Sequence, residues 1–429
     1  QILIMIEIQR IKENKEEVLL GLSKRNIDAK QEVEQIIALD HDWRLKKTQL
    51  QDVETELNAI SKQIGVLFST GKQEEAKVLK SKTGALKEAL QAFKIEEEAL
   101  EKNIQDVLFT LPNVCTQEVP AGKDETANEI IEEFGTSPSL EEAPVPHWEL
   151  AKEYTLIDFE LGVKVTGAGF PFYRGQGARF QRALVSFFLD EAVDAGYEEF
   201  ISPLMVNENS GKGTGQLPDK EGQMYYIGAD DLYLIPTAEV PLTNIYRDVI
   251  LPDPNFSIKL TGHTPCFRRE AGSYGKDVRG LNRLHQFEKV EIVRIETPEN
   301  SEKALHEMID HIKSLLQKLG LQYRVLRLCG GDTGFAAAIT YDFEVYSAAQ
   351  EKWLEVSSVS RFDTFQSNRL KLRFKDKNKK SRLCHTLNGS ALALPRIMAA
   401  LLENNQGPAG INIPEPLRKY TGFDMITKK

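Results

Sequence analysis

The chain has 429 residues, 28% charged and 41% hydrophobic, with a formal net charge of −10. That length suits two or three domains with a full core, and the acidic balance excludes a protein that finds nucleic acid through a global basic field. Its four cysteines, Cys115, Cys266, Cys329 and Cys384, form no CxxC pair and no Cys/His cluster, which points to a reducing compartment and away from a structural zinc.

The opening segment QILIMIEIQRIKENKEE has a short apolar run without the basic start or cleavage site of a secretory signal. No later apolar run approaches the roughly 20 residues of a membrane span. A cytoplasmic location and no membrane partner are expected. Residues before Glu7 read in part as a leader.

Up to Pro112, the first proline, the chain is helix-permissive. Ile36, Trp43, Leu50, Leu57 and Ile64 fall seven apart, and Leu39, Val53, Ile60 and Leu67 fall three after members of that set, with Lys46 as the exception. After Ser69-Thr70-Gly71, a second set follows: Leu79, Leu86, Phe93, Leu100 and Val107, with Leu90 and Ile104 four after members of it. Thr83 and Glu97 break that second row. Two heptad arms around a glycine turn predict an antiparallel helical hairpin, each arm about 50 Å long. Such a hairpin suits reaching a large partner. A dimerisation coiled coil or a stalk without a ligand fits the heptads equally well, and its lysines read either as phosphate contacts or as a solvated face.

From Pro112 to Trp148, five prolines punctuate an acidic stretch that reads as a linker, and the strand and helix signals beyond it predict an α+β domain. The domains are therefore 1–111, a linker 112–148, and 149–429. Ala178–Gly196 is an amphipathic helix closed by its glycine, and Tyr197–Val206 a strand interrupted at Pro203. GKGTGQLP (211–218) lacks the spacing of a phosphate-binding loop and reads as a mobile loop. LYLIPTAEVPLTNIYR (232–247) is a strand, a Thr237-Ala238-Glu239 corner and a helix, with Thr237 and Glu239 suited to the helix start.

The stretch from Ile258 to Glu291 reads as a strand, a long charged loop and a returning strand. By strand alternation Arg268 and Glu270 share a face, as do Phe287 and Glu291. An arginine, an aromatic plate and two carboxylates suit a nucleotide and an amino acid. A surface hairpin with scattered charges stays open. A helix to Leu319, a strand from Tyr323, a hairpin of YDFEVYSA and KWLEVSS, and a basic hairpin tip (371–382) follow. The last element, LCHTLNGSALALPRIMAALLENNQG, is a strand entering a buried helix. Asn388 and Ser390 share a face, Gly389 would allow close approach to a ligand, and Arg396 lies at the helix start.

At this point the chain resembles a known family. TPCFRREAGSYGKDVRGLNRLHQFEKVE (264–291) is similar to the second signature motif of class II aminoacyl-tRNA synthetases, NGSALALPR (388–396) to the third, and the helix and strand ending at Pro203 to the first. TAEVPLTN, GTGQLP, RIKENKEEVLLGLSKRN and the helical hairpin resemble the seryl-tRNA synthetases. The resemblance covers nearly the whole chain. It implies a class II catalytic domain, a mainly antiparallel sheet flanked by helices, behind an N-terminal coiled-coil hairpin that binds the serine tRNA, in a homodimer. The activity implied is formation of seryl-adenylate from L-serine and ATP with Mg²⁺, then transfer of serine to tRNA, with selenocysteine tRNA left open as a second acceptor.

The resemblance also implies roles. Arg268 and Arg396 are the catalytic arginines. Arg268, Glu270, Leu284, Phe287, Glu355, Val356, Ser357, Ser358 and Arg396 bind ATP. Thr237, Ala238, Glu239, Arg268, Glu291, Asn388 and Ser390 bind serine. Glu355 and Ser358 hold Mg²⁺, although strand alternation would pair Glu355 with Ser357. Two departures lie near these positions: Val359-Ser360-Arg361 where the family commonly reads CSN, and Ile339 where it often has lysine. A mechanism of this kind needs no Ser/His/Asp triad, so His263, His285 and His385 are read as structural. A paralogue that loads a carrier protein and an inactive RNA-binding protein remain as alternatives.

Overall fold

The computed structural model describes residues 7–219, 222–270 and 279–428. The leader reading before Glu7 and the middle of the charged loop, 271–278, lie outside them. The chain forms two compact units: one runs up to Ser23 and from Ile27 to Pro112, the other comprises Lys24–Asn26 and everything from Asn113 onward.

In the first unit, helices α1 (Lys30–Ser69) and α2 (Gln73–Thr110) form the antiparallel pair that the heptads predict. Gly71, at φ +78, makes the turn. The seam is lined by the heptad positions, with Ile36, Leu50, Ile60 and Ile104 buried. Lys46 keeps its place in the seam. Its stem lies inward, its ammonium is 4.5 Å from the Phe93 ring centroid, and it pairs with Glu96 at 2.6 Å. A long side chain can thus occupy an apolar row without breaking it.

The second unit is built on an eight-stranded sheet. Its labelled elements are β1 (Glu129–Phe134), α3 (His147–Glu153), α4 (Gln176–Asp194), β2 (Glu198–Glu199), α5 (Glu239–Asn244), β3 (Ser257–Phe267), β4 (Gln286–Glu296), α6 (Ser301–Lys318), β5 (Tyr323–Arg327), β6 (Ile339–Ser347), β7 (Lys352–Asp363), α7 (Phe365–Arg369), β8 (His385–Ala393) and α8 (Leu394–Asn404). The strand order is β1-β5-β6-β7-β8-β4-β3-β2, antiparallel except for the last pair. The α+β architecture is as expected. Helices α4, α6 and α8 cover one face, where Phe180, Phe187, Met308, Ile312, Phe343, Val359 and Ile397 form the core. The opposite face is left for side chains of another kind.

Three local expectations change. Residues 208–214 are a short helix with Gly211 and Gly213 buried, not a loop; an added Cβ at either would press within 2.7 Å of Leu217 or Leu370. The 197–206 segment supplies two short strands in different sheets, because Pro203 has no N–H to continue a ladder. Gly389 faces the helices: its missing side chain makes room for Val359, Met308 and Ile292, not for a ligand.

Candidate functional site

The register of the central strands decides which residues meet. Asp342 on β6 lies opposite Ser358 on β7; Ser360 lies opposite Asn388 on β8; Ser390 lies opposite Glu291 on β4. All point away from the helix-covered face. The residues that depart from the family pattern lie on the other side. Ile339 and Val359 are in the core, and Arg361 pairs with Asp363 and with Glu302 of α6. The departures therefore leave the charge of this face unaltered.

A β-bulge resolves the conflict over Glu355. Phe343 pairs with Ser357 but Glu344 pairs with Glu355, so Val356 is an extra residue in β7. The insertion shifts the alternation by one. Val356 turns into the core, the Ser357 hydroxyl donates to the Ser390 carbonyl at 2.6 Å, and Glu355 shares the open face with Ser358. Asp342 joins them. Burial first, then the charge of Glu355, holds its carboxyl well above the usual range, with a hydrogen bond from Ser358 opposing. Its Oδ1 is enclosed and meets no hydrogen-bond donor among the described residues. An orphaned oxygen beside a second carboxylate and a hydroxyl is a set of hard donors that fits Mg²⁺. Among the described residues, no three His, Cys, Asp or Glu side chains gather into a dedicated metal cage.

Arg396, in the first turn of α8, reaches the same corner. Its Nη1 donates to the Glu355 carbonyl at 2.8 Å and lies 3.3 Å from Oε2, while Nε donates to the Asn282 carbonyl at 3.0 Å.

At the other end of the face, two carboxylates are buried together. Glu291 is 1% exposed, with Lys289 Nζ at 2.5 Å and the Thr237 hydroxyl donating at 3.2 Å. Glu239, at the start of α5, accepts from Gln366 Nε2 at 2.6 Å and from Asn388. The Gln366 carbonyl oxygen in turn accepts from Thr386 at 2.7 Å. Burial, then the charge of Glu291, pushes Glu239 up to about 7. Burial also raises Glu291, with Lys289 opposing. The two carboxylates have one contacting ammonium, Lys289, and Arg268 adds a weaker pull on Glu291, so the pocket is one contacting positive charge short. Ala238 is fully buried at this corner, and the Thr237 hydroxyl accepts from the Glu239 amide.

Between the two ends, the Arg268 guanidinium lies 5.3 Å from the Phe287 ring centroid. β3 ends at Phe267, so strand alternation does not govern Arg268 and Glu270. Glu270 instead sits at φ +50 and ion-pairs with Arg283. Leu284 is in the core at 4% exposed and offers a ligand only its backbone. His285 is held by Tyr225 and stacked on Phe170, and His385 bonds Ser301.

Sequence reading missed Lys289, Gln366 and Asp342. Lys289 is two residues before Glu291, so strand alternation signals it. Asp342 needs the β6–β7 register. Gln366 lies 127 residues from Glu239 on a helix of five residues and leaves no local signal.

Two family models match: the seryl-tRNA synthetase N-terminal domain over residues 5–115, and the class II tRNA synthetase core domain (G, H, P, S and T) over 226–405. A serine–tRNA ligase of Salinibacter ruber is 49% identical, covering 98% of this chain and 99% of its own. The crystal structure of seryl-tRNA synthetase from Pyrococcus horikoshii complexed with ATP superposes with a TM-score of 0.91 at 35% identity, covering 99% of this chain and all of that one. The cytoplasmic serine–tRNA ligase of Naegleria fowleri in complex with AMP gives 0.86 at 27% identity, covering 100% and 99%. With both family domains in order and likeness running end to end, this chain belongs to the seryl-tRNA synthetases of class II.

Proposed function

We propose that the chain is a serine–tRNA ligase that joins L-serine to ATP, giving seryl-adenylate and pyrophosphate, and then passes serine to tRNA. The observation that carries this reading is the buried Glu239–Glu291 pair, short of one positive charge, on the same sheet face as Arg268, Phe287 and Arg396. The serine ammonium supplies that charge. Glu291, with Thr237 and Ser390 beside it, takes the hydroxyl. Asn388 completes the pocket through Glu239.

Phe287 takes the adenine ring, with Glu270 at its edge and the Leu284 backbone beside it. Arg268 bridges the α-phosphate and the serine carboxylate, so that attack on phosphorus occurs in line with charge already neutralised. Arg396 meets the outgoing phosphates. Glu355, Ser358 and Asp342 would hold Mg²⁺, which supplies charge neutralisation at the phosphates. Val356 and Ser357 act through the bulge that turns Glu355 outward.

The domain division at 1–111, 112–148 and 149–429 assigns the tRNA to the hairpin and activation to the sheet. Ile201, 95% exposed, and Met205 on the motif-one segment support a homodimer. Among the described residues no helix is long and apolar enough to cross a membrane, and four free buried cysteines support a cytoplasmic setting. Pyrophosphate exchange with each amino acid, followed by charging of serine tRNA, tests the reading. Exchange with another amino acid alone, or none, would defeat it.

A further inference from the structure

Helix α3 starts where the proline-rich stretch ends, and its first three residues all grip one short segment. That segment, 279–282, is the returning leg of the loop between β3 and β4. His147 Nε2 accepts the Leu281 N–H at 2.9 Å. Gly280, at φ +69, lies against the imidazole so closely that an added Cβ would come 2.2 Å from Nε2. The Trp148 ring centroid is 4.8 Å from the Arg279 guanidinium, and Glu149 pairs with the same arginine at 3.0 Å.

Behind the imidazole is a fully buried carboxylate. Glu403 Oε1 accepts from His147 Nδ1 at 2.6 Å, from the His147 backbone N–H at 2.9 Å and from Gln350 at 3.0 Å. Its Oε2 accepts from Ser347. Gln350 accepts from the Asn282 side chain at 2.9 Å, and the Asn282 carbonyl accepts from Arg396 at 3.0 Å. A backbone amide can only donate, so Nε2 must be the unprotonated nitrogen, and Glu403 fixes that tautomer through Nδ1–H.

Serine, glutamate and histidine here do not make a nucleophile. The hydroxyl and the imidazole sit on opposite oxygens of the carboxylate, the imidazole and the carboxylate are both 0% exposed, and the remaining imidazole nitrogen is occupied by the chain. The network terminates instead on Arg396. We propose that His147 is a positioning residue: it clamps 279–282 to the body of the domain and thereby sets the Arg396 guanidinium. The link to ATP rests on the reading of Arg396 given above.

Two substitutions separate the two ends of the imidazole. His147→Asn keeps a side-chain N–H for Glu403 but nothing that reaches Leu281. His147→Gln places an amide oxygen where Nε2 accepts. In the full-length protein, hydrogen exchange at the Leu281 amide reads the clamp without any substrate, and pyrophosphate exchange reads the KM values for ATP and serine separately. His147→Asn should lose Leu281 protection by about threefold to tenfold, the worth of one hydrogen bond, and raise the ATP KM by a similar factor. The serine KM should stay within about twofold, and His147→Gln should recover part of both losses on the same grounds.

Unchanged Leu281 protection in His147→Asn would overturn the clamp. Lost protection with an unchanged ATP KM, or equal rises for ATP and serine, would overturn its effect on Arg396. Should His147→Asn not fold, Gly280→Ala forces the segment off the imidazole, because its Cβ would come 2.2 Å from Nε2. Unchanged Leu281 exchange and ATP KM there would overturn the proposal. A wild-type protein without serine-dependent exchange would sink the functional reading, and Leu281 protection would still decide the clamp.

Discussion

The hairpin and the sheet face carry charge in opposite ways. Across the hairpin of α1 and α2, ion pairs such as Lys82–Glu56 are half-solvated, at 61% and 46% exposed. On the sheet face Lys289 and Glu291 are 7% and 1% exposed, and the pair is shut off from water. Water substitutes for any one partner in the first region and for none in the second. Work done by the hairpin is therefore spread over a surface, whereas work done by the sheet hangs on single atoms. The bluntest way to break this contrast is to delete Ala29 to Asn103. Charging of tRNA should be abolished while serine-dependent pyrophosphate exchange survives. Collapse of exchange in a folded deletion variant, or persistence of charging, would show that the labour is not divided.

A single atom group comes next. Arg268→Ala should cut pyrophosphate exchange by roughly 30- to 1,000-fold, the loss of one pre-placed charge worth about 2–4 kcal/mol in a water-poor site. Arg268→Lys should recover only part, since a point charge cannot bridge two anions as a planar fork does. Exchange at the wild-type rate in Arg268→Ala would remove the arginine from the mechanism.

Glu291→Gln sharpens the comparison within the site. It keeps volume while unbalancing Lys289 and weakening acceptance of the substrate hydroxyl. A pocket that hydrogen-bonds a hydroxyl can reject the deoxy analogue by about 10⁴- to 10⁵-fold, whereas excluding one extra methyl is worth only ~1–3 kcal/mol. The serine-over-alanine ratio should fall by at least about tenfold, the cost of one misplaced hydrogen bond. Threonine should be the more troublesome competitor in the wild type. Exchange kinetics with the three amino acids measure both. A constant serine-to-alanine ratio would mean that the hydroxyl is read elsewhere.

Glu239 tests what the charge deficit costs the empty protein. Its carboxyl is pushed from 4.5 up to about 7 by burial and by Glu291. Between those values the folded state holds a proton that the unfolded state has released. Stability from this group is thus complete below pH 4.5 and lost as pH rises through about 7, by an amount on the order of 1–3 kcal/mol. Glu239→Gln should reduce that slope in denaturant unfolding from pH 5 to 8, leaving the part due to Glu291, whose carboxyl burial also raises. Serine, bringing its own positive charge, should stabilise the wild type more at pH 8 than at pH 5. Parallel slopes in wild type and variant would show that Glu239 is ionised throughout.

The same contrast explains what could be read from the chain alone. Heptads are a local code, so the hairpin was legible residue by residue, Lys46 included once its long stem is considered. Lys289 and Glu291 lie two apart on one strand, and alternation reaches them. Glu355 and Ser358 defeat alternation because the Val356 bulge exists only when β6 and β7 pair. Gly389 looked like room for a ligand because nothing local says which face is covered. His147 sits in PVPHWEL, which has the texture of a linker, and its partners Leu281 and Glu403 are 134 and 256 residues away. Register, bulges and distant partners are choices of the tertiary fold, and the site depends on them more than the hairpin does.

The smallest effect separates the two regions most cleanly. Lys82 Nζ and Glu56 Oε1 are 3.1 Å apart across the hairpin, a distance that on paper differs little from the 2.5 Å of Lys289 and Glu291. Their surroundings differ. Exposed pairs give up side-chain freedom for a Coulomb gain that water and salt screen, so a double-mutant cycle on Lys82→Ala and Glu56→Ala should return a coupling of about 0.2–1 kcal/mol. That coupling should shrink towards zero in 0.5 M salt. Losing either partner of the Lys289–Glu291 pair should instead cost several kcal/mol, about 3–5, because the other charge is left buried. A hairpin coupling above about 2 kcal/mol, or one indifferent to salt, would place Lys82 and Glu56 among the exceptional surface pairs and erase the distinction between the regions.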